Sequence, residues 1–289
     1  IVSSGRVEDK TTANGNLADI PVVKAADGST LLNLGIPTGV GATVTGILQA
    51  VDLNSGKQEL IRQIEAKTSQ SDMTQDGTRF LDHLNTTDKL RVQTITPTSD
   101  QTTLNTAITL TGTPQTDGSK QAIVLDTKQL PHNSPITVNN IDFISVVGSA
   151  HITGGAGANV AVGDNEDQFI VLGADDDTLH GGGGTDTIGS LTGNDQAYGD
   201  AGNDSVYGGA GNDTLDGGSG NNVLNGGFGN DTALLSGVLS DYRITLVNDN
   251  QLQLTRLSTG EVNRLIDIET VTFTGNQESW QLTYNNSPT

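Results

Sequence analysis

Residues 154–234 run through nine consecutive nine-residue units without insertion: GGAGANVAV, GDNEDQFIV, LGADDDTLH, GGGGTDTIG, SLTGNDQAY, GDAGNDSVY, GGAGNDTLD, GGSGNNVLN and GGFGNDTAL. The consensus is G-G-x-G-x-D-x-U-x, with U a large apolar residue. A unit this short cannot bury its single apolar side chain alone. Stacking the units into a solenoid is the way to build a continuous core from them. A flexible Gly-rich linker has no reason to keep an apolar residue at period nine.

The unit has a physical reading. Glycines at positions one, two and four allow φ > 0 and let carbonyls turn inward. Position six sets a carboxylate beside them, and x-U-x is a short strand with one inward side chain. Oxygen-only donors at this density suit calcium, a hard cation that takes six to eight oxygens. With two units per coil, the sites fall between units n and n+2 in two rows. The odd row carries Asn159, Asp177, Asp195, Asp213 and Asp231; the even row carries Gln168, Asp186, Asp204 and Asn222. The pairs 177/195, 195/213, 213/231 and 186/204 have two carboxylates each and are expected to be strongest. Sites that use Asn159, Gln168 or Asn222 are expected to be weaker. Gly-Asn-Asp recurs with its glycine at Gly193, Gly202, Gly211 and Gly229, which complete the predicted ligand turns. The predicted inward column is Ala161, Ile170, Leu179, Ile188, Ala197, Val206, Leu215, Leu224 and Ala233.

Charge agrees with a cation-loaded array. Thirteen acidic residues and no Lys or Arg lie in 154–234, out of a formal net charge of −20 for the 289 residues. Without cations these carboxylates repel one another, and the roll is not expected to form. The same balance argues against nucleic acid or an anionic membrane as partner. There is no Cys, so bound metal is the available staple. No apolar run is long enough to span a membrane.

Over 154–234 the chain resembles the RTX, or hemolysin-type calcium-binding, family. The resemblance implies a parallel β-roll, several Ca2+ ions in the turns, and type I secretion of an unfolded chain that folds outside the cell. The units at 172 and 190 lack the leading Gly-Gly, and Gln168 stands where the metal Asp belongs. The expected fold is all-β: an RTX solenoid over 151–234 and a C-terminal β-rich cap over 235–289. Residues 1–150 are read as a mainly β domain with one or two short helices that also caps the roll's N-terminal end. Strand-like runs fall at 20–23, 90–95, 107–110, 122–125 and 141–147. Helical spacing marks Leu60, Ile61, Ile64 and Phe80, Leu81, Leu84.

No catalytic constellation emerges. There is no H-E-x-x-H and no G-x-S-x-G among 289 residues, and His180 is expected at the surface of a strand slot. The dense carboxylates at 164–167 and 175–177 read as calcium ligands or a solvated face. A structural module of a large secreted or cell-surface bacterial protein, of adhesin or surface-layer type, is the expected role, and not an enzyme. A calcium-dependent peptide- or carbohydrate-binding module and an accessory domain of a secreted hydrolase or toxin are the alternatives. The expected partners are calcium, the rest of a larger parent chain and a cell-surface, peptide or glycan ligand. The ends, Ile1-Val2-Ser3-Ser4-Gly5 and Asn285-Asn286-Ser287-Pro288-Thr289, read as those of an excised piece.

Overall fold

The computed structural model describes residues 17–25, 27–47, 49–114, 118–155 and 157–282. Both chain ends quoted above lie outside them. The chain divides into two compact units, Ile1–Asp164 and Asn165–Thr289.

The first unit is built on two sheets. In one, Leu17–Lys24 and Thr30–Pro37 pair antiparallel, and Thr30–Pro37 pairs antiparallel with Ile108–Gly112. Pro135–Asn139 and His151–Gly154 then follow in parallel. In the other, Val40–Gly46 pairs antiparallel with Lys89–Ser99, and Lys120–Asp126, Phe143–Val147 and Val160–Val162 continue in parallel. Strands covered on both faces read as near-continuous apolar runs, as in the buried segments at 122–125 and, with Ser145 as its one polar residue, 143–147. Two helices supply the outer cover of this sheet. The first, α1 (Leu53–Glu65), starts where the Asp52 carboxylate accepts the Ser55 N–H at 3.0 Å, an N-cap bond. It and α2 (Ser71–Asp82) press Leu60, Ile64, Met73, Phe80 and Leu81 onto Leu90, Val92, Val124 and Phe143. Phe80 stacks on Phe143 with ring centroids 4.9 Å apart. Both helices fall at the positions marked by helical spacing; Leu84 lies just past α2 and packs on the same core.

The second unit is the roll and the segment after it. One face stacks Phe169–Val171, Thr187–Gly189, Ser205–Ala210, Val223–Phe228 and Val262–Ile266 in parallel. The other stacks Thr178–His180, Gln196–Tyr198, Thr214–Asp216, Thr232–Leu235 and Thr270–Phe273. Registers such as Leu179↔Ala197 and Ile188↔Val206 advance by two units, as the two-row reading requires. The column Ile170, Leu179, Ile188, Ala197, Val206, Leu215, Leu224, Ala233 is entirely buried, as is Ala161 in the first unit. Tyr242–Asn248 and Gln251–Arg256 extend the first face antiparallel from Val262–Ile266. Glu278–Gln281 closes the second face antiparallel to Thr270–Phe273. No helix among the described residues is long and apolar enough to cross a membrane.

Candidate metal centre

Position four carries the tightest constraint in the turn. Gly193, Gly202, Gly211 and Gly229 take φ of +143°, +156°, +150° and +152°. The carbonyl oxygen of the preceding coil's position-four residue sits where a Cβ would go, Gly193 O against Gly211 and Gly211 O against Gly229. An L side chain is excluded there by both backbone angle and space. Unit 172 keeps the left-handed turn without glycine, with Asp175 at φ +75°; Asp200 does the same at position two, with φ +66°. Aspartate tolerates this region better than most residues.

Position one departs from the sequence reading. Gly181, Gly199, Gly208 and Gly226 do not have positive φ; what they provide is room. A Cβ on Gly181 would lie 2.6 Å from Asp186 Oδ2 and 2.8 Å from the Gly199 carbonyl oxygen. On Gly199 it would lie 2.7 Å from Asp204 Oδ2 and 2.9 Å from Gly217 O. A carboxylate oxygen and the next coil's carbonyl thus converge over each bare Cα.

The position-six residues form two ladders with a step of 18 residues. In the odd row Asp195 Oδ1 accepts the Asp177 N–H at 2.7 Å, Asp213 Oδ1 the Asp195 N–H at 2.8 Å, and Asp231 Oδ1 the Asp213 N–H at 2.8 Å. In the even row Asp186 Oδ1 accepts from Gln168 at 2.8 Å, Asp204 Oδ1 from Asp186 at 2.9 Å, and Asn222 Oδ1 from Asp204 at 2.9 Å. One oxygen per side chain is thereby used. The other, Oδ2 of Asp186, Asp195, Asp204, Asp213 and Asp231, is buried without a hydrogen-bond partner.

Burial without a counter-charge shows in the acidities. Desolvation, and then repulsion from Asp204, Asp167 and Asp200, pushes Asp186 up to about 8 against the Gln168 N–H bond. Burial likewise lifts Asp195, Asp204 and Asp213 to about 6. Asp231 is raised by burial and by Glu269 and Asp267. Buried carboxylates of this kind call for a cation.

The donors fit a hard divalent ion. They are carboxylate and carbonyl oxygens, with no Cys in the chain and no group of three or more His, Asp or Glu side chains converging among the described residues. An all-oxygen donor set of carboxylate and carbonyl suits calcium and leaves little for zinc.

All six aspartates singled out by sequence stand in the ladders, and Gly193, Gly202, Gly211 and Gly229 line their turns. Asn159 lies in the first unit, where its amide donates to the Ile141 carbonyl at 2.6 Å. Asn222 directs a buried, unpartnered Nδ2 to the place where the aspartates put Oδ2. Asp177 Oδ2 accepts from the Ser190 hydroxyl at 3.2 Å, Ser190 standing in a position-one slot. His180 is buried and not at the surface, stacked on Tyr198 at 4.6 Å with Nδ1 3.1 Å from Asp200 Oδ2.

Sequence reading missed a second ladder at position five, outside the first. Asp176 Oδ1 accepts the Asn194 N–H, Asn194 Oδ1 the Asn212 N–H, and Asn212 Oδ1 the Asn230 N–H, at 2.7, 2.9 and 2.9 Å. The recurrent Asn of Gly-Asn-Asp is its signal in the sequence.

The family model of the RTX calcium-binding nonapeptide repeat, four copies long, matches residues 162–197 and again 198–233. No curated protein matches the chain.

Proposed function

We infer from the RTX calcium-binding nonapeptide repeats matched at residues 162–233, repeats that bind several Ca2+ ions, that this stretch is the metal-binding part of the chain. From that premise we propose that the chain is a calcium-stapled structural module of a secreted or cell-surface bacterial protein, of adhesin or surface-layer type, that folds outside the cell. Its ions are held between coils by the pairs Asp177/Asp195, Asp195/Asp213, Asp213/Asp231 and Asp186/Asp204, with carbonyls from turns at Gly193, Gly202, Gly211 and Gly229. Asn159 and Asn222 mark weaker ends. Residues 151–234 are the metal-bound roll, 235–289 its cap and 1–150 a mainly β domain with no catalytic role.

The observation that carries the reading is the set of buried, unpartnered Oδ2 atoms of Asp186, Asp195, Asp204, Asp213 and Asp231, four of them, all but that of Asp195, aimed into the space over a glycine. Bound calcium supplies the positive charge that lets these carboxylates stay ionised inside the fold. Because binding to the folded state alone stabilises it by mass action, low calcium keeps the roll open for export and high calcium locks it.

Far-ultraviolet circular dichroism of the whole chain tests this. Excess chelator is expected to lower the β signal, millimolar calcium to restore it, and magnesium at equal concentration to fail. Magnesium keeps its waters and demands near-octahedral geometry. Equal midpoints for the two ions, or a spectrum indifferent to chelator, contradict the proposal.

A further inference from the structure

The odd ladder does not stop at the last repeat. Asp231 donates its N–H to Glu269 Oε2 at 2.8 Å, the rung that Asp213 makes with Asp231, although the step here is 38 residues and not 18. Thr270 N–H bonds to the Asp231 carbonyl at 2.9 Å, as Thr232 N–H does to Asp213 at 2.8 Å. The strand register agrees, since Thr232 pairs with Thr270 as Thr214 pairs with Thr232. Glu269 therefore occupies a position-six slot without belonging to any nonapeptide.

The other half of the cage is present too. A Cβ on Gly226 would lie 2.5 Å from Asp231 Oδ2 and would collide with the Asp267 carbonyl oxygen. At Gly208 the same two places are filled by Asp213 Oδ2 and the Gly226 carbonyl. Asp267 brings its carbonyl in by a left-handed turn, φ +48°. Its own carboxylate is held by Asn250, whose Nδ2 donates to Asp267 Oδ1 at 2.8 Å. Asp231 is fully buried and its Oδ2 has no hydrogen-bond partner.

We propose that the segment after the repeats completes one further calcium site, formed by Asp231, Glu269 and the carbonyl of Asp267. The site rests on the reading that the repeat carboxylates hold calcium, and it extends that reading beyond the nonapeptides. The segment thereby acquires a chemical role, because its last turn closes the open end of the odd row with a second carboxylate. The combined match of hydrogen bond, strand register, orphaned carboxylate oxygen and incoming carbonyl sets Glu269 apart from an ordinary acidic surface residue.

Calcium counted on the full chain by equilibrium dialysis tests it. Glu269→Gln keeps an acceptor for the Asp231 N–H and removes the charge; it is expected to bind one ion fewer than the unmodified chain. Asp267→Asn is expected to keep the full count, because only its backbone is a ligand. Terbium provides a second reading. Trp280 is the chain's only tryptophan and pairs with Val271, two residues from Glu269. Indole-sensitised terbium emission is expected from the unmodified chain and is expected to fall in Glu269→Gln. Undiminished count and emission in Glu269→Gln overturn this site while leaving the repeat sites standing. An unmodified chain that binds calcium but gives no indole-sensitised emission does the same. A chain that binds no calcium overturns the repeat reading and this site with it.

Discussion

The two units stack parallel strands with opposite chemistry. In the first, strands of five to eleven residues such as Lys89–Ser99, Lys120–Asp126 and Phe143–Val147 bury Ile, Val, Leu and Phe on both faces under two helices. Some of its charges pair with a partner of opposite sign: Lys120 lies 2.9 Å from Asp142 and Lys67 2.9 Å from Asp126. In the second, the coils carry many strands of only three residues with one inward side chain, which at 197 and 233 is only Ala. One buried Leu or Ile contributes about 1.5–3 kcal/mol, and one per nonapeptide does not offset the entropy of ordering nine residues. Worse, every coil buries a carboxylate. A parallel stack can thus be held by apolar area or by cations, and the second choice makes folding conditional on an ion.

Removing the ion breaks the comparison most sharply. In chelator, hydrogen exchange on the whole chain is expected to lose protection throughout the roll strands from Phe169–Val171 to Thr232–Leu235. Protection at Leu90, Val92, Ile123 and Val124 is expected to stay. Collapse of both regions together would mean that the first unit draws its stability from the second. The converse perturbation is Phe143→Ala, which opens a cavity under α2 and is expected to cost about 3–5 kcal/mol in the first unit with no change in the calcium midpoint of the roll.

The next effect is smaller and lies within the roll. Asp195 and Asp213 each have an aspartate neighbour on both sides of the odd ladder. Asp186 has one, Asp204, and on its other side meets Gln168. Asp195→Ala or Asp213→Ala is expected to raise the calcium midpoint more than Asp186→Ala in the same titration. The reverse order would show that the number of neighbouring aspartates does not set the strength of a site.

What can be read from sequence follows the same division. Period nine exposes the roll's inward column, its six aspartates and its position-four glycines, because identical units solve one packing problem repeatedly. Helical spacing at Leu60 and Phe80 locates the two helices. The parallel stack of the first unit stays hidden, since Ile136↔Ile152, Ile123↔Ile144 and Ile144↔Ala161 are joined by loops of unequal length with no shared motif. Glu269 is hidden for a related reason: the strands Tyr242–Asn248 and Gln251–Arg256 intervene before its register is recovered. Position-one glycines read as sites of backbone freedom when their role is space, a distinction that needs the carbonyl of a coil 18 residues away. His180 reads as a surface residue because its Tyr198 and Asp200 partners come from the next coil.

Acidity gives the smallest effect and the finest distinction between the units. In metal-free chain, Asp195, Asp204 and Asp213 sit near 6 and Asp186 near 8, above the 3.8 of a free aspartate. A carboxyl whose folded value is raised favours folding below its unfolded value, and that contribution is lost as pH rises through the folded value. In chelator the roll is therefore expected to be least disordered in mild acid, and to lose structure between about pH 4 and 8 as the buried carboxylates ionise. The first unit has the opposite sign. Asp52 is lowered by its bonds from the Ser55 N–H and hydroxyl, and Glu59 by its hydrogen bond with Arg62. Their contribution is present at neutral pH and is lost only in stronger acid, below the ordinary carboxylate range. Exchange measured in chelator should show the roll gaining protection as pH falls from about 8 to 4 while the first unit holds, and the first unit weakening only in stronger acid. Calcium should erase the roll's dependence near neutrality, because a bound cation replaces the proton as the partner of each Oδ2. Parallel responses of the two units, or a metal-free roll that strengthens as pH rises, would show that ionised carboxylates are not what opposes folding.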